Sequence, residues 1–110
     1  MALFMWMAKY TPEAVKAIAE SGSNREDVAR ATVEAAGGKL LGFYGLVGQD
    51  YHVALLCDMP GIGEYVGVVL AASLGGAIAD FKSIPMYDMA EATKVWDTYA
   101  KVKSTYAPPG

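Results

Sequence analysis

Residues 3–10, LFMWMAKY, constrain the fold more than any other stretch of the chain. Successive side chains of a strand point to opposite faces, so Leu3, Met5 and Met7 share one side and Phe4, Trp6, Ala8 and Tyr10 the other. Both sides are apolar, and such a strand must be covered twice. The rest of the chain has to supply one cover. The second comes from further helices or from another molecule.

The segments that follow decide between these. Thr11 suits an N-cap, Pro12 the first helical position and Glu13 the first turn. Val15, Ile18 and Ala19 mark a buried stripe, which 21–24 (SGSN) interrupts. Ser23 with Glu26 three residues later has the pattern of a capping box. Val28, Thr32, Val33 and Ala36 continue the stripe until Gly37 and Gly38 stop it. This is one helix with a break, or two in series. Residues 39–47 and 51–58 read as strands joined at the Gly48-Gln49-Asp50 turn. The second of them sets Tyr51, Val53, Leu55 and Cys57 on one face and His52, Ala54, Leu56 and Asp58 on the other. Residues 62–74 have helical spacing, and Gly63 and Gly67 within them imply a closely packed neighbour. Residues 79–87 can form a fourth strand, which Pro85 confines to a sheet edge. Residues 90–106 form an amphipathic helix with Val95, Tyr99, Val102 and Tyr106 on one face and Trp96 beside them.

The order is β-α-β-β-α-β plus a C-terminal helix, an α+β chain of ferredoxin-like type with an antiparallel sheet. Its helices cover one sheet face only. The second cover of the opening strand is therefore another molecule, most simply a second copy joined sheet to sheet. Composition agrees. With 110 residues there is one domain, yet 54% are hydrophobic and only 19% charged, more apolar surface than a small monomer hides. The net charge of −3, with no basic block, argues against nucleic acid or an anionic membrane as partner. The opening residues lack a basic n-region and reach Lys9 quickly, so they do not read as a signal peptide. Residues 62–79 are too interrupted by glycine and Glu64 for a membrane span. Cys57 stands alone, which excludes an intrachain disulfide and cysteine-based metal motifs and fits a reducing, cytoplasmic location.

The chain resembles the GYD-domain family, one of the dimeric α/β-barrel families. The resemblance rests on Lys9-Tyr10-Thr11 closing the first strand, the helix break at Ser23-Asn24-Arg25, and 35–44 (AAGGKLLGFY). Met59-Pro60 and the glycine-containing second helix extend it. It implies the ferredoxin-like fold and a homodimer with a barrel-like interior, over a domain of residues 1–89 followed by a C-terminal helix and tail at 90–110. Assemblies larger than a dimer are open on this reading. The family is named for a Gly-x-Tyr-Asp pattern, and this chain departs from it: Gly48-Gln49-Asp50-Tyr51-His52 puts His52 in the aspartate's place. The resemblance implies no reaction, cofactor or metal.

Candidate chemistry comes from side-chain type. His52, the one histidine, is the natural acid/base group near neutral pH; equally, a histidine at a strand mouth serves to satisfy a neighbour. Trp6, Tyr44, Tyr51 and Tyr65 have the flat apolar bodies and polar tips that line a pocket for an organic molecule, and they suit a subunit interface as well. Met5, Met7, His52 and Cys57 are soft metal ligands that cannot all converge, because the last two lie on opposite strand faces. Nothing activates Cys57 as a nucleophile. Gly61-Ile62-Gly63 precedes a helix but lacks the rest of a nucleotide fingerprint. Two functions follow from these residues: binding of a small apolar or aromatic molecule, with cofactor-free acid/base chemistry at His52 as its enzymatic form, or assembly alone.

Overall fold

A computed structural model describes residues 2–110. The elements run β1 (Ala2–Tyr10), α1 (Pro12–Ser21), α2 (Arg25–Ala35), β2 (Lys39–Gly45), β3 (Val53–Met59), α3 (Ile62–Leu74), β4 (Ile78–Met86) and α4 (Ala92–Val102), with a 3₁₀ turn at Met89–Glu91 leading into α4. The four strands form one antiparallel sheet in the order β2-β3-β1-β4, compatible with the ferredoxin-like fold. Pro85 lies on β4, an edge strand, where its missing N–H breaks no ladder.

β1 behaves as its two-faced sequence demands. Phe4, Trp6 and Ala8 are buried beneath the helices together with Leu40, Leu55, Cys57, Tyr65 and Val69. Residues paired directly across an antiparallel ladder share a face. Leu3, Met5 and Met7 therefore stand opposite the helices beside Leu56 of β3 and Ile84 and Met86 of β4. Lys94 and Val95 of α4 border a hollow with Leu3 and Met86 at one end of this face, and Leu3, Met5 and Met7 all stay partly exposed.

The first helical region is two helices in series, one of the two arrangements its pattern allows, parted at Gly22, whose φ of 64° is the left-handed conformation glycine adopts freely. Several boundaries differ from the sequence expectation. Asn24, not Ser23, caps α2, because its Oδ1 accepts the Glu26 N–H at 3.1 Å. Val15 points to solvent, and α1 leans on the sheet through half-buried Ala14 and Ile18. The β2–β3 connection spans 46–52, so Tyr51 and His52 precede the strand instead of opening it. Gly63 and Gly67 have no close neighbour: a Cβ at either would meet open space. They lie among Ile62, Val66, Leu70 and Leu74, all exposed on the outer side of α3.

α4 is the least integrated element. Its main neighbour is the 3₁₀ turn before it, and Trp96, Tyr99 and Val102 are exposed. It extends the molecule to 58 × 35 × 23 Å, with a radius of gyration of 17.6 Å where a compact chain of this length has about 13 Å.

Candidate functional site: a cavity between helices and sheet

Packing leaves a gap where α2 and α3 stand apart over the sheet. The cavity there measures about 270 Å³, near the lower end of the roughly 300–1,000 Å³ of small-molecule sites. Trp6, Phe43, Leu55 and Cys57 rise from the sheet to form its floor. Val28, Ala29, Thr32 and Val33 of α2 face Tyr65, Val68, Val69 and Ala72 of α3 across it, and Arg25, Tyr10 and Ile78 lie at its edge. Ala29 and Ala72 are small, so side chains at these two facing positions leave the space between the helices unfilled.

Polar groups in the wall are mostly occupied. Thr32 Oγ1 donates to the Val28 carbonyl at 2.9 Å, as a helical threonine can within its own turn. Tyr65 stacks on Phe4 at 4.0 Å between ring centroids, and its hydroxyl lies 2.8 Å from Ser83 Oγ. Burial raises the Tyr65 phenol above its usual pKa, the Ser83 bond works against that, and Cys57 adds a smaller upward push. Cys57 donates to the Phe4 carbonyl at 3.8 Å. Burial, then the Asp58 carboxylate, push its thiol up to about 11, so it is a protonated thiol at neutral pH and no nucleophile. The Trp6 indole N–H is the exception. It is buried and finds no acceptor, a state that costs about 1–3 kcal/mol.

The candidate residues named from sequence separate into two groups. Trp6 and Tyr65 meet in the cavity. Tyr44 pairs with Ala54 on the uncovered face, its ring folded over Gly42, and is 56% exposed, so the sheet stands between it and the cavity. Tyr51 lies in the β2–β3 connection and donates to Asp80 Oδ2 at 3.5 Å. Desolvation first, then the Asp80 and Asp50 carboxylates, raise its phenol.

His52 is a clasp between this connection and β1. Its N–H donates to the Ala8 carbonyl, its own carbonyl accepts from Leu46, and its Nδ1 accepts the Tyr10 N–H at 3.0 Å. Accepting through Nδ1 requires the neutral ring with its proton on Nε2. The imidazole also lies parallel to the Tyr10 ring, 6.0 Å between centroids. Tyr10 borders the cavity and His52 does not, so His52 reaches the cavity through Tyr10.

Arg25 is the lining residue that sequence reading overlooked, having been taken as part of a helix break. The sign of it was present: Arg25 heads the row 25, 28, 29, 32, 33, the spacing of one helix face. A cation at the top of an otherwise apolar stripe marks the rim of whatever that stripe covers. Phe43 was likewise read only as a strand residue. Among the described residues no group of three His, Cys, Asp or Glu is arranged to hold a metal ion.

The family model of the GYD domain matches residues 4–95, from β1 into α4, and so takes in every residue of the cavity. The chain belongs to the GYD-domain family. No curated protein matches it. In this GYD domain Gly48 to His52 lie in the β2–β3 connection, which Gly48 turns with a φ of 71°. No helix among the described residues is long and apolar enough to cross a membrane.

Proposed function

We propose that this GYD domain is a homodimer that binds a small, largely apolar organic molecule in the cavity between its sheet and helices α2 and α3. The observation that carries the binding reading is the cavity itself: four strands and two helices converge on a space walled by Trp6, Phe43, Leu55 and Tyr65 that no side chain fills. The uncovered apolar sheet face supports the dimer, since Leu3, Met5, Leu56, Ile84 and Met86 form a contiguous patch across three strands. The lone buried thiol of Cys57 accords with a reducing, cytoplasmic setting.

Binding is favoured over turnover at His52. Its Nδ1 is engaged by the Tyr10 N–H, and the ring lies outside the cavity lining. An acid/base role would need that bond released and the ring brought to the bound molecule. The assignment given to His52 is therefore positioning: it fixes the strand end that carries Tyr10. The test is native mass spectrometry of freshly purified protein. A dimer carrying a non-protein adduct of small-molecule mass is the expected result. A bare monomer would overturn both halves of the proposal.

A second reading, an assembly protein without a small-molecule site, is favoured by α4. Its exposed Trp96, Tyr99 and Val102 form a surface that the chain itself leaves uncovered. Under that reading, removal of α4 changes the oligomer, and the cavity stays empty whatever is offered to it.

A further inference from the structure

The binding reading names a place, and the polar groups around that place narrow its chemistry. Thr32, Tyr65 and Cys57 already have partners within the protein. Three lining groups do not, and one of them is the Tyr10 hydroxyl, which can donate or accept. The Trp6 side chain is 8% exposed, and its indole nitrogen meets no acceptor. Arg25 is half-buried at the rim and takes part in no ion pair among the described residues; the carboxylate next to it in sequence, Glu26, is held by Arg30 at 3.2 Å. These last two groups are pure donors: an indole has one N–H and no lone pair to offer, and a guanidinium has five N–H groups and a permanent positive charge. No free carboxylate lines the cavity.

Arg25 is also badly placed for stability alone. It occupies the first position of α2, where the helix dipole presents its positive end. Glu26 and Asp27 follow it in the first turn and Asn24 caps the Glu26 N–H, so the helix start is already answered by its own residues while the Arg25 guanidinium stays without a carboxylate partner among the described residues. An arginine in no ion pair, the one charged residue in the lining of an otherwise largely apolar cavity, asks for an acceptor carrying negative charge.

We propose that the ligand is a compact organic acid. Its apolar body, a single ring or short chain in keeping with about 270 Å³, lies between α2 and α3, and its carboxylate pairs with Arg25 at the rim. The inference rests on the cavity being a binding site.

The experiment uses two probes with one skeleton, 3-phenylpropionate and 3-phenylpropanol, titrated into the ¹⁵N-labelled full chain. The protein has two tryptophans, Trp6 and Trp96, and therefore two indole N–H signals, which Trp96→Phe assigns. The expected result is that the acid moves the Trp6 signal and leaves Trp96 in place. It binds at least about tenfold more tightly than the alcohol, and Arg25→Gln removes most of that difference, as a charge-assisted hydrogen bond requires. Arg25 lies at a helix start on the rim, so the substitution leaves the core intact. Equal binding of both probes, unaffected by Arg25→Gln, overturns the acid proposal and leaves the cavity as a binding site. If neither probe moves Trp6 or the signals of Val28, Val68 and Val69, both the acid proposal and the binding reading fail.

Discussion

Half-buried His52 and buried Cys57 show how single side chains in this domain are fixed by what they touch. His52 accepts the Tyr10 N–H and stacks on its ring, joining the β2–β3 connection to the end of β1. His52→Ala leaves a half-buried N–H without its partner and should cost about 1–2 kcal/mol in urea denaturation. Asn places an amide oxygen near the position of Nδ1, so His52→Asn should keep most of that stability; equal losses from the two variants would mean the clasp is not a hydrogen bond. Cys57 gives a dependence on pH. Burial pushes its pKa up to about 11 in the folded chain, above the ordinary thiol value of 9.0 that applies to the unfolded chain. The folded state therefore favours the thiol form. The associated stability is fully present below pH 9 and lost as pH rises toward 11, by as much as roughly 2–3 kcal/mol. Tyr65 has the same sign at still higher pH, so the Cys57 share is the difference between wild type and Cys57→Ala measured across that window. A parallel decline in both proteins would show that Cys57 contributes none of it.

At the scale of elements, glycines separate tight packing from open space. Gly38 lies where β2 approaches β3: a Cβ there would come within 2.9 Å of the Asp58 carbonyl and 2.5 Å of Met59 Sδ. Backbone cannot yield as a side chain can, so Gly38→Ala should destabilise by about 1–3 kcal/mol in thermal or urea melts. Gly67, inside α3, meets nothing within 4 Å. Gly67→Ala should stabilise an isolated chain by about 1 kcal/mol through helix propensity alone. If the same change instead weakens self-association, another copy packs on that side of α3. The contrast also shows what could be read in advance. Alternating apolar residues in β1, the Thr11-Pro12-Glu13 helix start and the Gly37-Gly38 stop are local signals, and the elements they announce are present. A glycine inside a helix says only that a side chain is missing, which close packing or an exposed surface explains equally. Gly48-Gln49-Asp50 likewise announced a turn, but its length depended on His52 bonding to Ala8 and Tyr10, two residues some forty positions away. The cavity was half legible. Trp6 and Tyr65 announced themselves as aromatic residues on inward faces. Tyr44 had the same credentials, but its placement depends on a register shift between Leu40 and Gly42 that pairs it with Ala54.

At the scale of the whole molecule, the sheet poses the question its first strand raised. With strands of up to 9 residues, the uncovered face measures roughly 30 Å by 19 Å in plan. Side-chain relief brings that near the ~800 Å² per partner typical of stable pairs. Met5 and Leu56 are paired at its middle and point away from the helix-covered core, so a charge on either should leave the fold intact. Met5→Lys is expected to yield a folded monomer by light scattering with an unchanged far-UV spectrum, if two sheets face each other. α4 makes a separate contribution. An isolated helix of 11 residues is marginal in water. Under the assembly reading, the exposed Trp96, Tyr99 and Val102 stripe gains its cover, and α4 much of its helicity, from a neighbouring copy. Deleting residues 92–110 should then lower the assembly state or the dimer affinity while the sheet and cavity remain. The two variants together assign the interface. Loss of the dimer in Met5→Lys alone puts it on the sheet. Loss in the truncation alone puts it on α4, and the uncovered face of β1 would then need a different partner. If both proteins remain dimeric, the exposed row of Ile62, Val66, Leu70 and Leu74 on α3 is the surface left to hold the copies together, and Gly67→Ala, which thickens that surface, becomes the variant that decides.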